Sequence, residues 1–283
     1  MNPPGSITII EPTDAWRFIN WRELWAYRDL LRLLVWRDFT ARYKQTVLGP
    51  LWYIGQPLIT TLVFTLVFGK FAKIPTDGVP PTLFYLSGLL PWSYFALTYQ
   101  SSSDTLNANI GIFGKVYFPR LIVPLSAVIS NLLNFSIQII SFTVFFLAFK
   151  LSGHGQSFGL THAAFLLPLV IVQVGGASLG VGLCLSSLTA KFRDLQVLSA
   201  FLIQLWMYLT PLIYPISQVP ERWRAAAQLN PMAFPIEFFR HALLGTPMPD
   251  AVFAAESVAI TAALFVCGIF LFRRVEKNFV DVA

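Results

Sequence analysis

Three histidines, two cysteines and 14 carboxylates are the residues of this sequence most able to do chemistry, and their spacing supports none of the familiar forms. His154 and His162 bracket a short loop with no Cys or carboxylate at metal-ligand spacing, and His241 stands apart from both. Cys184 and Cys267 each sit in an apolar stretch, outside any CxxC pattern, and read as small buried hydrophobes. No GxSxG nucleophile elbow occurs. Gly69-Lys70 and Gly114-Lys115 lack the upstream glycine of a phosphate loop, so this chain has no means of hydrolysing ATP alone. An ion-coupled transporter would place a carboxylate near the middle of a span. Here Asp104, Glu237 and Glu256 fall at the ends of apolar runs or in a short broken segment, and no inverted repeat is visible. The sequence therefore predicts no catalytic residue, no metal and no cofactor in this chain. Any energy source must lie outside it.

What remains is a chemistry of surfaces. Aromatic residues make up 15% of the chain, and Trp52, Tyr53, Phe201, Trp206, Tyr208 and Tyr214 gather in two of the apolar stretches. Ring faces give broad contact with few fixed hydrogen bonds, which suits a sugar polymer that must bind and then slide on. A second group is the turn from Leu106 to Arg120, with Ile112, Phe113, Lys115, Tyr117 and Arg120 close together. Aromatics flanked by two cations would serve equally as a docking knob for a partner or as a membrane-surface anchor. Asn131, Asn134, Gln138 and Ser141 recur on one helical face, and Gly176 and Gly180 have small-xxx-small spacing. Both patterns are expected to serve helix–helix packing rather than a pore lining.

The elements that carry these groups follow from composition. Hydrophobic residues make up 55% of the 283-residue chain and charged residues 12%, against roughly 25% charged in soluble domains. The charge is missing from runs about 20 residues long, the length needed to cross about 30 Å of hydrocarbon. Six runs qualify: Leu51 to Phe68, Leu83 to Ser103, Leu121 to Phe149, and stretches within Ala163 to Leu188, Leu195 to Tyr214 and Val252 to Phe272. Between the last two, Trp223 to Leu229 and Ala233 to Leu244 are too short to cross and are broken by prolines. They predict re-entrant or interfacial helices at a channel mouth. Lys and Arg then set the orientation: fourteen fall on the side of the termini and six on the other, which places both termini in the cytoplasm. The net charge of +6 sits at the ends of apolar runs, so it points to topology and anionic lipid rather than to nucleic acid. Met1 to Asn20 lacks the basic and apolar regions of a cleaved signal. Trp21 to Tyr43 reads as an amphipathic helix. Trp21, Leu24, Trp25, Leu31, Val35, Phe39 and Tyr43 share one face, fit to lie on the membrane surface or against a soluble subunit.

Four stretches, taken together and in order, resemble the ABC-2 type permeases that export O-antigen, capsular polysaccharide and teichoic acid. They are Arg42 to Trp52 followed by Pro57; Lys115 to Arg120 with Pro124-Leu125; Phe192-Arg193-Asp194 with Gln204 and Thr210 to Pro215; and Asn230-Pro231 with Glu237 to Arg240. The resemblance implies an all-α integral membrane protein of the bacterial cytoplasmic (inner) membrane, in two parts. Residues 1–45 would be a cytoplasmic segment with an interface helix, and residues 46–283 a six-span ABC-2 transmembrane domain. It implies a homodimer bound to two copies of a separate ABC ATPase, which would hold the ATP and Mg. It further implies ATPase coupling through Ile112, Phe113, Lys115, Tyr117, Arg120, Arg193 and Asp194. Re-entrant gate helices would lie on the outer side around Asn230, Pro231, Glu237 and Arg240, and a channel lined largely by spans one and five would carry a lipid-linked polysaccharide. An exporter of teichoic acid or of a small lipophilic compound, and a membrane scaffold without transport, are the alternatives the sequence leaves open.

Overall fold

The structure is a computed structural model that describes residues 21–44, 51–113, 117–154, 158–192 and 194–279. Every regular element among the described residues is helical. In chain order the helices are α1 (Trp21–Ala26), α2 (Arg28–Tyr43), α3 (Leu51–Phe64), α4 (Pro81–Ser103), α5 (Thr105–Ala108), α6 (Ile110–Phe113), α7 (Ile122–Phe149), α8 (Leu167–Thr189), α9 (Asp194–Leu209), α10 (Glu221–Gln228), α11 (Ala233–Leu244) and α12 (Ala251–Phe279). Helix α3 runs on as a π-helical segment, Thr65–Phe71.

Four segments are both long and apolar enough to cross a membrane: Ile54–Phe71, Ile122–Ser152, His162–Thr189 and Ala251–Glu276. Two of the six expected spans differ from these. Helix α4 has 23 residues and no charge, about 35 Å of helix. However, its Ser, Thr and Tyr residues make it less apolar, and most of its side chains are buried among other helices. Helix α9 stops at Leu209 after 16 residues, about 24 Å. Beyond it, Pro211 and Pro215 offer no N–H to continue a helix, and residues 210–215 form a turn.

Helix α8 is the centre of the bundle and packs along both α12 and α4. Glycine makes this possible. A Cβ on Gly180 would lie 2.7 Å from the backbone of Leu264 and Phe265, and one on Gly182 would lie 2.5 Å from the Ser102 side chain. The expected packing role of this stripe is therefore met. The Gly180 obstruction is backbone and cannot rotate away. Gly180→Ala should accordingly cost about 1–3 kcal/mol through overpacking, read as a lower melting temperature of the detergent-solubilised protein. The polar face of α7 has the same purpose. Asn131 Nδ2 donates to Thr98 Oγ1 at 3.3 Å, and Gln138 Oε1 accepts from Ser93 Oγ at 2.9 Å, so both side chains tie α7 to α4.

The N-terminal helix departs from the expected single face. A turn at Tyr27 separates α1 from α2, but the helical register is kept across it: the Tyr27 N–H donates to the Glu23 carbonyl at 3.2 Å and the Leu31 N–H to the Tyr27 carbonyl at 3.0 Å. Leu24, Tyr27, Leu30, Leu31 and Leu34 turn inward onto the cluster that also holds Phe118, Ile122 and Phe272. Trp21 and Trp25, expected beside Leu24 and Leu31, face outward with Leu33 and Trp36. The helix thus has two apolar faces, one packed against the bundle and one open. Asp38 Oδ2 accepts from Ser126 Oγ at 3.3 Å and fixes α2 against α7.

Helices α10 and α11 coincide with the two short segments read from the sequence. Ten of the twelve residues of α11 are buried, so it is not a helix lying on a surface with one face wet. It is enclosed by α4, α8 and α12. Its end is set by Gly245, whose φ of 76° is open to glycine and strained for other residues.

Candidate functional site

Three groups of residues stand out, and the fold treats them differently. At the end of the bundle near α5 and α6, Phe113 is 7% exposed and belongs to the chain's own core. Its ring lies 5.7 Å from that of Phe118, and the Arg120 guanidinium sits 5.4 Å over its face. Arg120 also reaches α12: its Nε is 3.9 Å from Glu276 Oε1, and its Nη1 donates to the Glu276 carbonyl. Phe113 and Arg120 belong to the turn in which the sequence allows either a docking knob or a membrane-surface anchor. In the fold both hold the turn against the bundle, Phe113 within an apolar cluster that includes Phe272 of α12 and Arg120 by its contacts with Glu276. What the turn presents outward is Tyr117, 79% exposed, beside a partly exposed Ile112. What burial the Tyr117 phenol has, reinforced by Glu23, Tyr27 and Glu276, pushes its pKa up. The hydroxyl is thus a neutral hydrogen-bonding group at physiological pH. Asp194 is exposed at the start of α9. Lys115, Arg193 and the side chain of Tyr53 lie outside the described residues.

The second group is the aromatic set. Trp52, Phe201 and Tyr208 present their rings freely from α3 and α9. Trp206 and Tyr214 do not. Trp206 Nε1 donates to Asn230 Oδ1 at 3.1 Å, and its ring meets Phe95 edge-on at 5.2 Å. Tyr214 is half-buried, with its hydroxyl 3.3 Å from the Leu209 carbonyl. Helices α3 and α9 are the least covered of the long helices. Only 11% of Ile54–Phe71 is buried, against 39% of the most apolar stretch of His162–Thr189, and Ser199 is the one buried residue of α9. Among the described residues, the outward faces of α3 and α9 are left uncovered.

The third group lies around α11 and is the most tightly built. Arg240 is fully buried. Its Nη1 donates to the Pro211 carbonyl at 2.7 Å and to Glu237 Oε1 at 3.1 Å, and its Nη2 donates to the Leu212 carbonyl at 2.7 Å. The guanidinium lies 3.6 Å over the Phe84 ring. Gly88 leaves room for it: a Cβ there would come within 3.1 Å of Nη2. Glu237 Oε1 also accepts from the Ile216 backbone N–H at 3.0 Å. Asn230 fastens the hairpin to the end of α9. Its Oδ1 accepts from Trp206 and from the Met232 N–H, and its Nδ2 donates to Thr210 Oγ1 at 2.8 Å. Pro231 contributes its carbonyl to Ser257 Oγ of α12 at 3.3 Å. Asn230, Pro231, Glu237 and Arg240 were all singled out in the sequence. Their partners Phe84, Gly88, Pro211 and Leu212 were not, although an Arg three residues after a Glu in an apolar helix signals that buried acceptors must be nearby.

Residues 29–244 match the family described as ABC-2 type transporter. The chain is 30% identical over 261 residues to the O-antigen export system permease protein RfbA of Myxococcus xanthus, covering 90% of this chain and 96% of that protein. It is 28% identical to a protein of the same name from Klebsiella pneumoniae, with 90% and 95% covered. Polysialic acid transport protein KpsM of Escherichia coli is 23% identical, with 85% and 91% covered.

Proposed function

The chain belongs to the ABC-2 type transporter family, and from that premise we propose that it is the transmembrane permease of an ATP-driven exporter of lipid-linked polysaccharide. The observation that carries this reading is similarity over nine-tenths of the chain to permeases named for O-antigen export, joined at lower identity by a polysialic acid transporter. The protein is a multi-pass membrane permease and not itself an enzyme. A separate ABC ATPase supplies the energy in this reading, two copies for a homodimer of this chain, in the bacterial inner membrane with both termini cytoplasmic.

The bare walls of α3 and α9 support the dimer. In two copies those walls would face one another, with Trp52, Phe201 and Tyr208 along a shared path for sugar rings. Helix α4, charge-free and long enough, and α9, extended by the turn at residues 210–215, would complete six spans. The α10–α11 hairpin would be the outer gate, and Tyr117 with Ile112 the contact to the ATPase.

Deleting the gene for this chain should remove polysaccharide from the cell surface and leave lipid-linked glycan inside, with export restored by plasmid-borne copies. The purified permease should turn over ATP only with its partner ATPase. Surface glycan unchanged after deletion, or ATP turnover by the clean single subunit, would refute the reading.

A further inference from the structure

A cleft of about 380 Å³ opens where the end of α4 meets α5 and the first two turns of α9. That volume lies within the roughly 300–1,000 Å³ of small-molecule sites. Its lining is unlike the apolar walls nearby, since it includes Gln100, Ser101, Asp104 and Gln196, with Ala108 and Ala200 at its edges. Gln196 Nε2 donates to Asp104 Oδ1 at 2.7 Å. This bond orients both groups across the gap between α4 and α9. It leaves the second carboxylate oxygen and the Gln196 amide oxygen as acceptors, and the exposed Gln100 amide as both donor and acceptor. Tyr99 and Ser199 join behind them, hydroxyl to carbonyl, at 3.4 Å.

We infer that this cleft binds the hydroxyl groups of sugar rings as the glycan enters the permease, with Asp104 and Gln196 as the principal ligands. Carboxylate and amide groups held edge-on match adjacent hydroxyls, which both donate and accept. None of the lining residues is cationic, and a carboxylate repels phosphate. The cleft therefore selects the sugar portion rather than a diphosphate linker. This inference rests on the reading of the chain as a polysaccharide permease, in whose orientation the cleft lies on the cytoplasmic, entry side.

The test uses the complete transporter in cells making their own polysaccharide. A benzophenone amino acid is placed singly at Ala200, at Ala108, at Tyr208 in the proposed channel, and at the outward-facing Ile140. After irradiation, the purified permease is probed with a carbohydrate stain. Glycan adducts are expected at Ala200, Ala108 and Tyr208 but not at Ile140. Combining Asp104→Leu with Gln196→Leu should lower the adduct at Ala200 roughly tenfold, the scale of one lost charge-assisted hydrogen bond. Asp104→Asn, which keeps hydrogen-bonding capacity, should retain most of it. Adducts at Tyr208 with none at Ala200 and Ala108 would overturn the cleft while leaving the transport reading intact. Adducts at the cleft unaffected by the double substitution would overturn the assignment of Asp104 and Gln196. No adduct at any position would remove the transport reading and the cleft with it.

Discussion

Arg240→Met is expected to lower the stability of the permease by about 3–5 kcal/mol, the usual cost of removing one partner from a buried charge pair. The guanidinium bridges three pieces of structure: α11 through Glu237, the turn after α9 through the Pro211 and Leu212 carbonyls, and α4 through the face of Phe84. Its loss would leave two buried carbonyls without these donors and Glu237 with only the Ile216 N–H. Unmet buried acceptors carry the full cost of desolvation. Arg240→Lys keeps the charge but not the planar fork, so it should fall between the methionine variant and the parent. Pairing Arg240→Met with Glu237→Leu should recover part of the loss, because the stranded carboxylate is removed as well. Thermal unfolding of the four proteins in detergent would measure this order. A methionine variant as stable as the parent would mean that α11 is held in place without the Arg240 bridge.

Tyr117→Ala is expected to weaken co-purification of the ATPase about 30-fold while the permease inserts normally. The ring is almost fully exposed, so its own chain loses little packing when it is removed. An aromatic anchor at an interface commonly carries about 2 kcal/mol or more, and each 1.4 kcal/mol is about tenfold in affinity. Phe113→Ala should behave in the opposite way. Its ring is clasped between Phe118 and Arg120, and truncating a buried Phe costs about 3–5 kcal/mol. The damage would then appear as poor yield of the permease itself. Comparing subunit association with yield separates the two. If Tyr117→Ala bound the ATPase as the parent does, the contact would have to be sought at the outward tryptophans of α1 and α2 or near Asp194.

These opposite expectations for Phe113 and Tyr117 show where sequence reading stopped. Both are aromatic, four residues apart, in one turn beside cations. Nothing in their types or spacing tells which one folds back. The outcome depends on α12, about 160 residues further along the chain, whose Glu276 captures Arg120 and draws Phe113 beneath it. The same limit applies to the N-terminal helix. A 3.6-residue period sets Leu24, Tyr27, Leu31 and Leu34 on one side and Trp21, Trp25 and Trp36 on the other, and it is the contact with α7 that chooses the leucine face. Among the six aromatics expected to line a channel, Trp206 has its indole N–H bound to Asn230, a partner 24 residues away that spacing does not foretell.

Properties set by local composition were legible without any structure. The charge-free runs determine that the chain is helical in a membrane, because hydrocarbon allows no unpaired backbone. Prolines and short run lengths determine that α10 and α11 do not cross. The missing phosphate loop is the ground on which ATP chemistry is expected in another protein. Tertiary structure decided the rest: that α11 is enclosed, that Arg240 finds two carbonyls and an aromatic face, and that Asp104 meets Gln196 across a cleft. Each of these joins residues far apart in the chain by a distance of about 3 Å. Sequence periodicity fixes the face a residue occupies on its own helix. Which other helix that face will meet depends on how the whole bundle packs.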